Sequence, residues 1–393
     1  MIFQTFDEKN ECFLVYRESN FHKTLTDDCD QSWSYANYLS EKNVEYAKIY
    51  AQGCSLEDMC PVAYLERFKA IQDKINAIYI SARQAKLNLN EICIYDLMPK
   101  HTLEEYAKIK NVICKNVFDV YERPDNYEHM LKITKVITDI KYRNLDLNLN
   151  SIPRVTVQDK NIYKLIRNSK RFIDYDMYKT KTGRLSTKRN SFPIMTLAKK
   201  YREVLTPKNE WLFELDFNAA ELRVLLGLLG KEQPKEDIHN WNIKNIFGGQ
   251  GSREEAKKRV FAWLYNNNSS DDLLNKTYNC DKIKNNYWNG NEINTIYGRT
   301  IQSDDFHAIN YIIQSTAADL MFEQMYQVWE ILKEKKSFIK FCNHDSIVID
   351  LAVEDEPYIN IIKESFSNTR FGKFKINCFG GKNWGDMKEL NIH

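Results

Sequence analysis

Two aspartates in this chain of 393 residues stand where an apolar run stops. Asp216 is near the end of Trp211–Phe217 (WLFELDF), which reads as a buried strand broken only by Glu214 and the aspartate itself. Asp345 lies in the turn Asn343-His344-Asp345-Ser346, between apolar runs at 338–342 and 347–353 that read as a hairpin. Desolvating an unpaired charge is costly, so a carboxylate at the end of a buried strand implies either a bonded loop or an open cleft. Loop amides could satisfy Asp216, and ordinary turn chemistry could account for Asp345. After Asp216, Asn218 is the expected N-cap of an apolar helix carrying Leu222, Val224, Leu225, Leu228 and Leu229. Glu221, three residues on, then reads as the return half of a capping box. A second helix is predicted to start at Arg253, after the capping pair Ser252 and Glu255. On it Arg253, Lys257, Phe261 and Tyr265 recur every four residues. Each such step turns a helix by about 400°, so the four drift slowly around one face. That face suits a nucleotide, with cations for the triphosphate and rings for the sugar and base. A plain amphipathic helix with a basic edge is the alternative.

Residues 178–202 hold Lys179, Lys181, Arg184, Lys188, Arg189, Lys199, Lys200 and Arg202, with no acid. The net charge of the whole chain is only +2, so nucleic-acid binding must come from such local asymmetry. A solvated basic loop is the plainer reading. The nine cysteines form no C-x-x-C pair and read as reduced thiols, as in a cytosol. No signal or transit peptide is recognisable, and no apolar run approaches membrane-spanning length.

Taken in order, these pieces resemble family A DNA polymerases, the family of bacterial DNA polymerase I and many phage replicases. D-x-x-x-x-E-L-R (Asp216, Glu221, Leu222, Arg223) resembles motif A. R-x-x-x-K-x-x-x-F-x-x-x-Y (Arg253 to Tyr265) resembles motif B, with Ala262 and Asn266 where the family has glycines. His344-Asp345 resembles motif C, with Ser346 replacing the usual Glu. Thr182-Gly183-Arg184-Leu185-Ser186 matches a segment placed before motif A. N-x-x-x-Q-x-T-A-A-D from Asn310 resembles a palm helix, where Phe306-His307 stands in place of a basic residue. Gly381-Lys382-Asn383-Trp384 resembles the family's G-x-N-W.

The resemblance implies an α+β fold of right-hand polymerase type, with an antiparallel palm sheet and helical fingers and thumb. It implies template-directed extension of a primer with dNTPs, with two Mg²⁺ ions as cofactors held by Asp216, Asp345 and the Phe217 backbone carbonyl. Lys257 becomes the general acid. Arg253, Lys257, Phe261, Tyr265 and His344 bind the dNTP, and Glu221 is the steric gate against a ribose 2′-hydroxyl. Arg184, Thr182, Lys188, Arg189, Asn310 and Gln314 contact primer–template DNA. Glu221 and Phe261 favour deoxynucleotides, whereas Ser346 matches the related single-subunit RNA polymerases. An RNA polymerase-like enzyme and an inactive nucleic-acid-binding relic are the alternatives.

The elements that must position these residues fall into five predicted segments. Residues 1–60 contain a hairpin (2–6 and 11–16) of unknown role. Asp7 and Glu8 are adjacent, the wrong spacing for the family's Asp-x-Glu exonuclease motif, so no proofreading is expected. Residues 61–150 show two or three long amphipathic helices in the thumb position. A first palm segment is expected over 151–235, shortened fingers over 236–295, and a second palm segment over 296–393, with a long helix at 306–335. The small size suggests a phage or mobile-element enzyme acting in the host cytoplasm, away from membranes and open to a processivity or replisome partner.

Overall fold

A computed structural model of the chain describes residues 1–6, 15–87, 93–151, 166, 171–189, 191–266 and 270–390. Two compact units result, Met1–Asp139 and Ile140–His393. In the first, β1 (Gln4–Thr5) pairs antiparallel with β2 (Val15–Arg17), which pairs with β3 (Asn20–His22). The expected hairpin is therefore present, although its turn, with Asp7 and Glu8, lies outside the described residues. Three long helices follow: α1 (Val62–Gln84), α2 (Lys100–Val120) and α3 (Tyr127–Lys141). Their existence follows from apolar residues at helical spacing; α2 buries Leu103, Ala107, Cys114 and Val117 along one stripe.

The second unit is built on five antiparallel strands. Its centre is β4 (Trp211–Phe217), followed by α4 (Ala220–Leu228). The helices α5 (Ile238–Asn245), α6 (Arg253–Tyr265), α7 (Asp272–Tyr278) and α8 (Cys280–Tyr287) come next. A small hairpin, β5 (Glu292–Asn294) with β6 (Thr300–Gln302), leads into α9 (Asp305–Leu332). Then come β7 (Phe338–Asn343), β8 (Ser346–Leu351), α10 (Ile359–Ser367), β9 (Ile376–Gly381) and β10 (Lys388–Glu389). The sheet order is β7-β8-β4-β9-β10. Helices and an antiparallel sheet in one unit make this an α+β fold.

The strand period of two gives β4 two unlike faces. Phe213, Leu215 and Phe217 are buried, and the Phe217 ring stacks on Phe366 of α10 at 4.3 Å. Glu214 and Asp216 share the other face. The register aligns Asp216 with Ser346 on β8 and with Asn377 on β9, so the hairpin carrying Asp345 is delivered beside Asp216. A separate apolar cluster joins Leu222, Leu225 and Leu226 of α4 to Val260, Trp263 and Leu264 of α6 and to Ile312 and Ile313 of α9. It anchors the inner face of α6 and leaves Phe261 46 % and Tyr265 38 % exposed on the outer one.

Gly183 fixes the approach of the basic segment. Its φ is +74°, and an added Cβ would lie 2.8 Å from Nη1 of Arg299. That guanidinium is held by the fully buried Asp319 through bonds of 2.9 and 2.6 Å. The Thr182-Gly183-Arg184 turn, the Tyr297-Gly298-Arg299 turn and the Asp319 turn of α9 thus pack as one piece. A left-handed backbone and a close approach both require glycine here. Gly183→Ala is expected to lower unfolding stability by about 2 kcal/mol or more. Urea denaturation checks this, and a loss within error of zero would contradict the packing.

Candidate active site

Asp216 and Asp345 are brought together by backbone as well as by register. The Phe217 amide donates to the Asp345 carbonyl at 3.2 Å. Both carboxyls are displaced towards protonation. Burial raises Asp216 to about 7; Glu214 and Asp345 add to the rise, while a 3.3 Å bond from Asn377 and the charge of Lys257 oppose it. Burial raises Asp345 as well, against the charges of Arg184 and His344. His344 adopts φ 53°, a left-handed conformation in a non-glycine residue, and so does Ala219 at φ 52°. Such conformations are strained, and here one flanks each aspartate.

The start of α4 differs from expectation. Its N-cap is Ala219, which makes no side-chain bond, so Asn218 is not the cap and Glu221 is not its capping-box partner. Asn218 looks elsewhere. Its oxygen accepts from the Ile238 amide at 3.1 Å, and its amide nitrogen donates to Asp237 at 2.8 Å. Glu221 is freed to take the Arg184 guanidinium. Burial raises the Glu221 carboxyl, and Arg184 offsets part of that rise. Arg223 is fully buried and ties Asn218 to the carbonyls of Pro234 and Glu236.

Helix α6 begins as predicted, on the Ser252–Glu255 capping box. Arg253, Lys257, Phe261 and Tyr265 all lie on its exposed side, and the rings of Phe261 and Tyr265 stack at 5.6 Å. Arg253 donates to Asp237 at 2.9 and 3.1 Å. Burial alone would raise Asp237, but Arg253, Asn218 and the helix amides hold it well below the usual carboxylate range. A cavity of about 80 Å³ is lined by Glu221, His239, Phe261, Leu264 and Asp345 among others. A second, of about 20 Å³, is lined by Arg184, His344 and Asp345 among others. Asp345 is a wall of both.

His239 was not legible as a site residue. It is 3 % exposed, and its Nδ1 has no hydrogen-bond partner. Burial holds its imidazole below the ordinary histidine range. The one local signal is its place directly after Asp237-Ile238, at the start of α5.

Other predicted residues are more dispersed. Thr182 is buried, and Lys188 is bonded to Asp174 at 2.9 Å. Arg202 is drawn inward over the Trp384 ring at 3.9 Å. Of the cations at 178–202, Arg184 and Arg202 are half-buried, whereas Lys188 and Arg189 are exposed. Asn310 and Gln314 stand on α9 and line neither cavity; the Asn310 Oδ1 is buried without a partner. Ser346 donates to Glu214 at 2.6 Å, and Trp384 donates to the other Glu214 oxygen at 3.3 Å.

Mg²⁺ is commonly held by one or two carboxylates plus substrate phosphates and water. Two destabilised carboxylates beside the Phe217 carbonyl fit that donor set. Among the described residues no group of three or more His, Cys, Asp or Glu could hold a metal ion. Nor is any described helix long and apolar enough to cross a membrane.

An acid whose folded pKa is raised weakens folding when ionised, so this cost is present above about 7 and is lost as pH falls towards 3.8. Asp216→Asn is therefore expected to raise the melting temperature in metal-free buffer at about pH 8. The gain should shrink as pH falls through about 7 and vanish near about 4. Calorimetry at three pH values checks this; a lower melting temperature at pH 8 would contradict it.

No protein-family model matches the chain. It is similar to DNA polymerase I of Borreliella burgdorferi, with 26% identity over 267 residues, covering 53% of this chain. The match spans 29% of that relative, less than a third of its length. Among solved structures it is similar to the POL domain of Pol1 from M. smegmatis, in complex with DNA primer-template and dNTP. The TM-score is 0.60 at 10% identity, covering 92% of this chain and 87% of that one. The chain has the fold of a family A polymerase domain.

Proposed function

We propose that the chain is a template-directed DNA polymerase that extends a primer 3′ end with dNTPs and lacks proofreading. The observation that carries this reading is the pairing of Asp216 with Asp345, two half-buried carboxylates raised towards protonation, with the charge of Lys257 acting on Asp216. Asp216, Asp345 and the Phe217 carbonyl would hold two Mg²⁺ ions. Bound there, the ions would supply charge to the attacking 3′-hydroxyl, the α-phosphoryl oxygens and the leaving pyrophosphate.

The chain's own groups do the rest. Arg253 exchanges Asp237 for the triphosphate, and His239 offers its unpaired nitrogen to the same chain of phosphates. Lys257 donates a proton to the leaving pyrophosphate, the role of a general acid. Phe261 packs on the sugar and Tyr265 stands near the nascent pair, with His344 at the turn below the substrate. Arg184, Thr182, Lys188 and Arg189 meet the primer–template. Asn310 and Gln314 face its minor groove, where amide donors check pair geometry without reading sequence.

Ser346 need not point to ribonucleotides. Its hydroxyl is the ligand of Glu214, a role independent of the sugar. Glu221 lines the larger cavity beside Phe261, where its side chain occupies the space of a 2′-hydroxyl. Primer extension on a DNA template with Mg²⁺ tests the reading. Extension is expected with dNTPs and not rNTPs, and Asp345→Asn should abolish it. Glu221→Ala should narrow the preference for dNTPs by about tenfold or more, since a few kcal/mol of steric exclusion are removed. Extension by wild type with rNTPs alone would overturn the sugar assignment, and none with either would overturn the polymerase.

A further inference from the structure

Phe306 is out of place as a core residue. It is 62 % exposed, the most exposed aromatic among the described large apolar side chains. It stands in the first turn of α9, at four-residue spacing from Asn310 and Gln314 on one helix face. With a rise of about 1.5 Å per residue, it lies about 12 Å beyond Gln314 along the axis.

Its neighbours extend it into a surface. Phe306 meets the His307 ring edge-on at 4.8 Å, and His307 stacks on Tyr311 at 5.3 Å with planes 19° apart. Lys181, from the basic segment, places its ammonium 5.9 Å from the Tyr311 ring centre. The two acids at this helix start are both engaged. Asp304 caps the helix and accepts from His307 at 2.7 Å, and Asp305 pairs with Lys284. An exposed ring, backed by two half-buried ones and a cation, suits unpaired bases, because every base has a π-face and its phosphate is anionic. Duplex DNA hides those faces within its own stack.

We propose that Phe306, supported by the His307–Tyr311 stack and Lys181, is a stacking platform for unpaired bases of the template strand. This rests on the polymerase reading, in which Asn310 and Gln314 face the duplex. Phe306 continues their helix face to where pairing stops, so it meets the first bases not yet copied. The aromatic pair takes the position at which the resemblance implies a basic residue.

The test compares two DNA ligands at one salt concentration, a blunt duplex and the same duplex with a 5′ template overhang of about four nucleotides. Stacking is worth about 1–3 kcal/mol per base, so Phe306→Ala should weaken overhang binding by about five- to tenfold or more. Blunt-duplex binding should stay unchanged. Phe306→Trp should keep the overhang preference, and 2-aminopurine in the overhang should be less quenched by Phe306→Ala than by wild type. Since Phe306 is exposed, neither variant threatens the fold. Equal weakening of both ligands, or no change in either, would overturn the platform while leaving the polymerase intact. A wild-type chain that binds neither DNA would overturn both.

Discussion

Two carboxylates, half-buried and brought together at the ends of neighbouring strands, are the constraint on which this structure turns. Folding alone does not favour them: burial pushes both towards protonation, and the charge of Asp345 adds to the rise at Asp216. What holds them is over-determined backbone. Phe217 donates to the Asp345 carbonyl, the β4–β8 ladder fixes the register, and left-handed Ala219 and His344 aim the flanking chain. Strain and charge at one spot have a use if a cation is to be drawn there.

The surrounding polar groups are arranged in pairs that a substrate can reopen. Arg184 rests on Glu221 and Arg253 on Asp237. Arg184 and Arg253 are therefore neutralised from within, which lessens the concentration of positive charge in the cleft. Deeper pairs differ. Arg299–Asp319 and the bonds of Arg223 are buried and act as fixed joints between sequence-distant turns. Breaking one would strand a buried charge. Glu214 belongs with the joints. Held by Ser346 and Trp384, it links the turn of Asp345 to the far end of the chain.

Much of this was legible from local chemistry. The strand Trp211–Phe217 and the capping box at Ser252 rest on periodicity and on groups three residues apart, and the structure has them; the arm expected at 347–353 is a strand over Ser346–Leu351. The exposed face of α6 followed from its four-residue spacing. Failures came where distance overrode local preference. Asn218 is a good N-cap by type, but Asp237 and the Ile238 amide, about twenty residues on, take its side chain instead. The same non-locality hid Asp237 and His239. It also hid that Arg184 and Arg202 are half-buried and engaged within the protein and that Lys188 is paired with Asp174, where composition alone read a free basic surface.

The central claim is that Asp216 and Asp345 act as one coupled pair waiting for a divalent cation. Carbon-13 NMR of aspartate carboxyls, titrated with and without Mg²⁺, tests it most directly. The account predicts an aspartate titrating near neutrality in metal-free protein, with about 7 for Asp216, lost on Asp216→Asn. Added Mg²⁺ should drive that titration down, because metal and proton compete for the same oxygens. If every aspartate titrates in the ordinary range below about 5 and Mg²⁺ moves none, the pair is not the seat of catalysis.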